Sequence, residues 1–257
     1  MTKLHVDFSG SAVLVTGGAS GIGLAIVRKF AQAGASLVMA DIAEEQGLEA
    51  QRYLSSKGHK VQFMSMDVSS PESVAATFSK AEAAMGGLDI AVNNAGIAFT
   101  GEAVAETELE TWRKTMSVNL DGVFLCMRQE LKIMQRQGRG VIINMSSGAG
   151  LIGAPMMAAY SASKHGVIGL TRTAAQEYIA SGIRINAICP GGVDTPMLDS
   201  LLPGEMRDSI AAQHFQRRFA TPEEVAELVT FVASDKASFI TGDCIAIDGG
   251  RQNLGAR

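Results

Sequence analysis

The sequence Ala12-Val-Leu-Val-Thr-Gly-Gly-Ala-Ser-Gly-Ile-Gly23 places a short apolar run directly before a glycine-rich turn, and a helical pattern follows. Glycines allow the backbone to turn sharply and to approach a pyrophosphate, while the N-terminus of the next helix supplies N–H donors and a partial positive charge. Many glycine-rich turns bind nothing, but a position between a strand and a helix favours dinucleotide binding. The predicted contacts in this loop are Gly17, Ser20, Gly21, Ile22 and Gly23.

Six further β-like runs alternate with helical segments along the chain. Several are nearly continuous in Val, Ile, Leu and Met, which is typical of strands buried on both faces of a parallel sheet. The seven predicted strands are 12–16, 36–41, 60–67, 88–93, 141–146, 184–189 and 243–248. They predict an α/β fold, a doubly wound Rossmann-type parallel seven-stranded sheet with helices on both faces. No linker or shift in composition divides the chain, so we expect a single domain over residues 1–257.

Glycines and polar residues mark the expected helix ends. Ser70 and Thr221 are predicted N-caps because each is followed by Pro, and Thr221 has capping-box spacing to Glu224. The glycines predicted to end helices are Gly34, Gly58, Gly86, Gly138 and Gly182.

Composition narrows the class of protein. The chain is 47% hydrophobic and 19% charged, as an ordinary soluble globular protein is. A net charge of −4 argues against a nucleic-acid partner. No apolar run reaches the roughly 18 residues that a membrane span needs, and the first residues lack the apolar segment of a secretory signal. Cys126, Cys189 and Cys244 are far apart and lack metal-ligand spacing, so we expect reduced thiols, no metal and a cytoplasmic protein.

Asp41 ends the second predicted strand. A carboxylate there can accept hydrogen bonds from both ribose hydroxyls of adenosine and would repel a 2′-phosphate, so it favours NAD over NADP. No Arg or Lys stands beside Ser20 to receive such a phosphate. The alternative role for Asp41 is a helix N-cap, because a helix begins near Ala43, and the two roles are compatible. We include the adjacent Ile42 among the cofactor contacts.

Polar and small residues also follow the third and fourth strands. The Asp67 carboxylate could meet the adenine amino group, or it could cap the helix that begins at Ser70-Pro71. The sequence Asn-Asn-Ala-Gly, residues 93–96, suits the ligand crevice of an open sheet, and it also suits a simple turn. The predicted cofactor contacts in these segments are Asp67, Val68, Asn94, Ala95 and Gly96.

Two later segments add polar groups. Asn119 lies inside an apolar helical pattern over residues 111–137, where an amide must find partners or cost stability. It is either a satisfied buried amide or a local break in the helix that holds a water leading toward Lys164. The sequence Pro190-Gly-Gly-Val-Asp-Thr-Pro196 forms a rigid loop whose backbone and Thr195 hydroxyl could bind a carboxamide. The predicted cofactor contacts here are Val118, Pro190, Gly191, Val193 and Thr195.

The candidate catalytic residues are Ser147, Tyr160 and Lys164. Tyr160 and Lys164 lie four residues apart and share a helix face. A free Tyr has a pKa of about 10, and a neighbouring ammonium lowers that pKa. A Ser hydroxyl from a separate segment could hold a substrate oxygen, which completes a proton-transfer device for an alcohol or ketone. A Tyr and a Lys at this spacing are by themselves typical of a solvated helix face. The other motifs along the chain favour a catalytic role for this pair.

Taken in order, these motifs resemble the short-chain dehydrogenase/reductase family, in its common branch with Tyr-x-x-x-Lys. The resemblance runs from Ala12 to Gly250 with no departure at a catalytic position. The motifs that carry it are Thr16–Gly23, Asp41, Asp67, residues 93–96, Asn119, Ser147, residues 160–164 and the Pro-Gly loop with Thr195.

The resemblance implies a role for each of these residues. Tyr160 accepts the proton in oxidation and donates it in reduction, and Lys164 lowers the pKa of Tyr160 and bonds the nicotinamide ribose. Tyr160 and Lys164 are both also expected cofactor contacts. Ser147 orients the substrate oxygen, with Ser146 as the alternative. Asn119 holds the water of a proton relay. Thr195 and the Val193 backbone fix the nicotinamide carboxamide.

The expected function is an NAD(H)-dependent oxidoreductase acting on a secondary alcohol or its ketone. An NADPH-dependent 3-oxoacyl reductase and a noncatalytic NAD-binding regulator are the alternatives. Met and Leu residues in a lid segment, residues 196–218, suggest an apolar substrate pocket, although they also suit simple packing of the lid on the core. The resemblance further implies a homotetramer.

Overall fold

Seven parallel strands form one sheet in the computed structural model. The strands are β1 (Ala12–Thr16), β2 (Ser36–Asp41), β3 (Val61–Ser65), β4 (Ile90–Asn93), β5 (Gly140–Met145), β6 (Ile183–Pro190) and β7 (Cys244–Ile247). Their order in the sheet is β3-β2-β1-β4-β5-β6-β7, and every pairing is parallel. The predicted fold class is therefore confirmed. The structure describes residues 6–202 and 204–251, so the two ends of the chain and residue 203 of the lid segment lie outside the described residues.

Helices connect the strands and cover both faces of the sheet. They are α1 (Gly21–Gln32), α2 (Glu44–Ser56), α3 (Pro71–Met85), α4 (Leu109–Met116), α5 (Gly122–Gln137), α6 (Ala158–Tyr178), α7 (Pro196–Leu201), α8 (Glu205–Ala211) and α9 (Pro222–Ala233). A π-helical turn, Ser117–Asp121, joins α4 to α5. Within the described part of the chain, no helix is both long and apolar enough to cross a membrane.

The sheet separates two hydrophobic cores. Helices α1, α2 and α9 pack on one face, while α3, α5 and α6 pack on the other. Successive β1 residues point to opposite faces, so Val13 and Val15 enter the first core and Leu14 enters the second. Because both faces are covered, strands that read as continuous apolar runs can be fully buried.

Most of the predicted helix ends are confirmed by the backbone. The five predicted glycines have φ between +70° and +88°, the left-handed region that ends a helix. Ser70 Oγ accepts the N–H of Ser73, and Thr221 and Glu224 form the capping box. The predicted strands 60–67, 88–93 and 243–248 are longer than β3, β4 and β7. The length of a strand depends on its pairing partner, which its own sequence does not contain.

The strand order reverses at β1, which lies between β2 and β4. Ligands of doubly wound sheets bind at the carboxyl ends of the strands beside such a reversal. The segments that leave β1, β4, β5 and β6 at this edge carry the residues singled out in the sequence. The fold therefore brings together motifs that are far apart along the chain.

Candidate active site

The glycine-rich loop between β1 and α1 is a tight cradle. Gly17 has φ +62°, and a Cβ there would lie 2.7 Å from the Ala95 Cα. A Cβ on Gly23 would overlap the Gly17 carbonyl oxygen. A side chain at either position would overlap the backbone of Ala95 or of the loop itself, so glycine is needed for the loop to pack this closely.

The first turn of α1 lies at the bottom of this cradle. Its N-cap residue, Ser20, is exposed and makes no side-chain bond to the turn, and this turn contains no acidic residue. The backbone N–H groups at a helix start attract anions when no side chain satisfies them. The cradle and the helix start fit the pyrophosphate of a dinucleotide.

Asp41 links the glycine loop to the chain after β2. Its Oδ2 accepts the Ala19 N–H at 2.9 Å, and its Oδ1 accepts the Ala43 N–H at 3.0 Å. The N-cap position of α2 is Ala43, so Asp41 braces this helix start from two residues before the cap. Ile42 is 68% exposed beside it, which leaves an apolar side chain available to a flat ring.

Asp67 does not cap α3. Ser70 is the N-cap, and Asp67 Oδ1 instead accepts both the N–H and the hydroxyl of Ser69. The capping interpretation of Asp67 is wrong because the Ser70 hydroxyl already serves the first turn. The next residue, Val68, is buried, and a Cβ on Gly122 would lie 3.0 Å from its Cγ2.

Hydrogen bonds join the segment after β4 to the glycine loop. Asn94 and Ala95 both donate their N–H groups to Thr16 Oγ1 at 3.0 Å. The Asn94 side chain donates to the Thr16 and Gly17 carbonyls at 3.1 and 3.0 Å. Its polar atoms therefore fix the shape of the cradle.

Asn119 lies in the π-helical turn, which confirms a local break in the predicted helix. Its side chain pairs with both backbone groups of Ile97 at 2.8 Å, and its Nδ2 also lies 3.3 Å from Ser163 Oγ. The amide is thus satisfied and also lies close to Lys164 of α6, since a Cβ on Gly96 would lie 3.3 Å from Asn119 Oδ1 and 3.6 Å from Lys164 Nζ. Its neighbour Val118 is partly buried.

The structure brings Ser147, Tyr160 and Lys164 together. The side chains of Ser147 and Tyr160 are hydrogen-bonded, and Lys164 Nζ lies 5.7 Å from the centre of the Tyr160 ring. Lys164 donates to the Met145 carbonyl at 2.8 Å. The Ser146 hydroxyl donates to the Lys164 carbonyl, so Ser147 is the serine that faces Tyr160.

The pKa of Tyr160 is shifted in the direction opposite to the one expected from the sequence. Burial raises the pKa of Tyr160, and the hydrogen bond to Ser147 only partly offsets that rise. A lowered pKa was expected from the Lys164 ammonium; the pKa is raised instead, because burial disfavours the charged phenolate. Burial also lowers the pKa of Lys164 to about 8, because the buried ammonium loses hydration.

The loop after β6 forms the opposite wall of the crevice. Gly191 donates its N–H to the Ile247 carbonyl at 2.9 Å, which anchors the loop to β7. Thr195 caps α7 through its hydroxyl, which also donates to the Val193 carbonyl at 3.2 Å. The Thr195 methyl group would lie 3.4 Å from a Cβ on Gly21, so this loop faces the start of α1.

Sequence reasoning did not single out two further buried groups. Glu130 on α5 is fully buried, and Asn93 Nδ2 donates to its Oε2 at 3.1 Å. His214 in the lid segment is only 2% exposed and bonds the Gly192 N–H. Glu130 could have been found as a charge inside the apolar pattern of α5. His214 has no such pattern around it.

Comparison with known proteins places this geometry in a family. Residues 17–252 match a family model described as enoyl-(acyl carrier protein) reductase, a model of short-chain dehydrogenase/reductase proteins.

Relatives and solved structures match along nearly the whole chain. The chain is 44% identical over 243 residues to cis-4-hydroxycyclohexanecarboxylate dehydrogenase of Sinomonas cyclohexanicum, covering 95% of this chain and 97% of the relative. It is 42% identical over 247 residues to 2,5-dichloro-2,5-cyclohexadiene-1,4-diol dehydrogenase of Sphingobium indicum, covering 95% and 98%. The crystal structure of levodione reductase superposes with a TM-score of 0.92 at 36% identity, covering 96% of this chain and all of that chain.

Proposed function

We propose that this chain, which belongs to the short-chain dehydrogenase/reductase family, is an NAD(H)-dependent oxidoreductase that interconverts a secondary alcohol and its ketone. Members of the family use a nicotinamide nucleotide. The observation that carries the proposal is the cluster of Ser147, Tyr160 and Lys164 opposite a glycine cradle at the reversal of the sheet.

The side chains suggest how the proton moves. Ser147 holds the substrate oxygen near Tyr160 Oη. In reduction Tyr160 donates its proton to that oxygen, and in oxidation its phenolate takes the proton from the alcohol. Lys164 stabilises the phenolate by its charge. A bound nicotinamide supplies or accepts the hydride.

The Asp41 carboxylate supports NAD rather than NADP. Its oxygens are fixed by Ala19 and Ala43, so the carboxylate is held at the mouth of the glycine cradle. A 2′-phosphate beside it would add like-charge repulsion, while the free ribose hydroxyls of NAD could donate to it.

Apolar side chains near the catalytic residues support a ring-shaped substrate. Phe99, Ile152, Met156 and Met197 are each more than 40% exposed, although large apolar side chains are usually buried. The Gly101 N–H donates to the Met156 carbonyl, so the segment after β4 lies against the segment between Ser147 and Tyr160. Exposed apolar surface beside polar catalytic groups is typical of a binding pocket. The names of the two relatives, a hydroxycyclohexanecarboxylate dehydrogenase and a cyclohexadiene-diol dehydrogenase, agree with an alicyclic alcohol or ketone.

The test is turnover of a substrate panel. Cyclohexanols, open-chain secondary alcohols and their ketones are offered with NAD(H) and NADP(H), and reduced nicotinamide is followed by absorbance. We expect NAD-dependent oxidation of cyclohexanols. Preference for NADPH and a 3-oxoacyl thioester would favour the reductase alternative, and cofactor binding without any turnover would favour a regulator.

The Asp41→Ala variant tests the cofactor preference. We expect the ratio of kcat/KM for NAD over NADP to fall by about 10- to 100-fold, because a charge-assisted hydrogen bond and a like-charge repulsion are both removed. Glu44→Ala, an exposed acid at the start of α2, is the matched control and should leave the ratio unchanged. Equal use of both cofactors by the unmodified protein would contradict the assignment.

The same family membership leads us to propose a cytoplasmic homotetramer. Phe124 on α5 is 46% exposed, and Gly169 on α6 has open space around it, so both helices present surface that a second copy could cover. Gly166, in contrast, packs against Leu120 of its own chain. Light scattering coupled to size exclusion should give about four times the 26.9 kDa of one chain. A mass near one chain would contradict the proposal.

A further inference from the structure

His214 lies in the lid segment but is almost completely buried, at 2% exposure. Both of its ring nitrogens are used. The Gly192 N–H donates to Nε2 at 3.1 Å, and Nδ1 lies 3.2 Å from the Ile210 carbonyl oxygen. A backbone N–H can only donate, so Nε2 must carry the lone pair and Nδ1 must carry the hydrogen. The ring is therefore a neutral imidazole of fixed tautomer that joins α8 to the loop after β6.

The loop is shaped to receive this ring. A Cβ on Gly191 would lie 3.0 Å from His214 Nε2, and a Cβ on Gly192 would lie 3.2 Å from His214 Cε1. A Cβ on Gly192 would also meet the Phe219 ring, which packs edge-on against His214 with 5.7 Å between ring centres. The two glycines thus permit an approach that any side chain would block.

The segment after His214 holds the other side of the loop. Ala220 donates its N–H to the Gly192 carbonyl at 3.0 Å, and Asp194 donates its N–H to the Ala220 carbonyl at 2.9 Å. The N–H and the C=O of Gly192 are therefore both bound by residues 214–220. The conformation of Val193, between Gly192 and Asp194, follows from these bonds.

We infer that His214 is a positioning residue that fixes the Gly192–Val193 backbone for the nicotinamide end of the cofactor. This inference rests on the proposed function and on the role expected for residues 190–195, whose backbone and Thr195 hydroxyl would bind the nicotinamide carboxamide. His214 acts only through this loop. Its loss should weaken contacts to the nicotinamide and leave unchanged the contacts expected for adenosine at Asp41 and for pyrophosphate at the glycine loop after β1.

Two variants of similar size separate the two ring nitrogens. In His214→Gln the side-chain oxygen can replace Nε2 and accept the Gly192 N–H. In His214→Asn the amide can replace Nδ1 and donate to the Ile210 carbonyl, but it does not reach Gly192. Both retain a polar side chain in the same buried position, and thermal unfolding checks that both fold.

The readout is the affinity for NADH compared with the affinity for ADP-ribose, which lacks the nicotinamide, measured by calorimetry. We expect His214→Asn to bind NADH about tenfold more weakly, because a buried N–H loses its acceptor, and to bind ADP-ribose as the wild type does. His214→Gln should restore most of the NADH affinity. Equal NADH affinities in the two variants, or parallel losses for both ligands, would overturn the inference. Failure of the wild type to bind NADH would overturn the proposed function itself.

Discussion

The Tyr160→Phe variant is expected to fold and to bind NADH while losing nearly all turnover. The change removes only the hydroxyl that is hydrogen-bonded to Ser147. General acid–base catalysis contributes typically ~10²- to 10⁴-fold in rate, so kcat should fall by at least that lower limit. The cofactor dissociation constant should stay close to the wild-type value, because the expected adenosine and pyrophosphate contacts are made by Asp41 after β2 and by the glycine loop after β1, not by the Tyr160 hydroxyl.

Tyr178→Phe is the matched control. Tyr178 lies at the other end of the same helix and is partly buried against the core, so its change tests whether losing a phenol hydroxyl from α6 is harmful in itself. We expect near-normal turnover from this control. Near-normal turnover from Tyr160→Phe with normal NADH binding would assign the proton transfer to another group.

The parts of the fold that could be predicted depend on local pattern. The continuous apolar runs identified the strands, and glycine and capping residues identified the helix ends, because each signal acts within a few residues. The motif at residues 160–164 was placed on a helix for the same reason. The predicted bounds of β3, β4 and β7 were less accurate, because pairing with a neighbouring strand sets where a strand ends.

The parts that could not be predicted depend on contacts between distant segments. The rise in the pKa of Tyr160 comes from burial, which the sequence around Tyr160 does not reveal. The bond from Gly192 to His214 joins segments 22 residues apart. Asp67 fitted two roles equally until the structure showed Ser70 as the cap of α3.

The hydrogen bond between Asn93 and Glu130 is the clearest example of a contact between distant segments. It belongs to a buried polar chain that crosses from α5 to α6. Asn93 Nδ2 donates to Glu130 Oε2 at 3.1 Å and to Asn144 Oδ1 at 2.9 Å, and Asn144 Nδ2 donates to Thr171 Oγ1 at 2.9 Å. Within the described part of the chain, Asn93 Oδ1 and Glu130 Oε1 are buried acceptors without a donor. A proton on Glu130 would provide an O–H donor at this site.

The raised pKa of Glu130 agrees with a protonated side chain at neutral pH. Burial raises its pKa from 4.5 to about 8, and the bond from Asn93 offsets part of that rise. Between pH 4.5 and 8 the folded protein keeps this proton while the unfolded chain releases it. The unfolded state then binds fewer protons, so this group lowers the free energy of unfolding as pH rises through that window.

The Glu130→Gln variant should therefore match the wild type near pH 5 and become more stable than the wild type toward pH 8.5. A Gln side chain can accept from Asn93 through its oxygen and donate through its amide without titrating. The difference should grow by about 1.4 kcal/mol per pH unit inside the window, to about 5 kcal/mol across it.

Urea unfolding of the cofactor-free protein at pH 5, 6.5 and 8.5, at one protein concentration, measures this difference. Other titrating groups, Lys164 among them, contribute equally to wild type and variant and cancel in the comparison. Glu49→Gln, an exposed acid on α2, is the control and should show a difference that does not change with pH. A Glu130→Gln difference equally independent of pH would mean that Glu130 is ionised throughout. The buried chain from Glu130 to Thr171 would then contain a charge that its hydrogen bonds stabilise, rather than a proton.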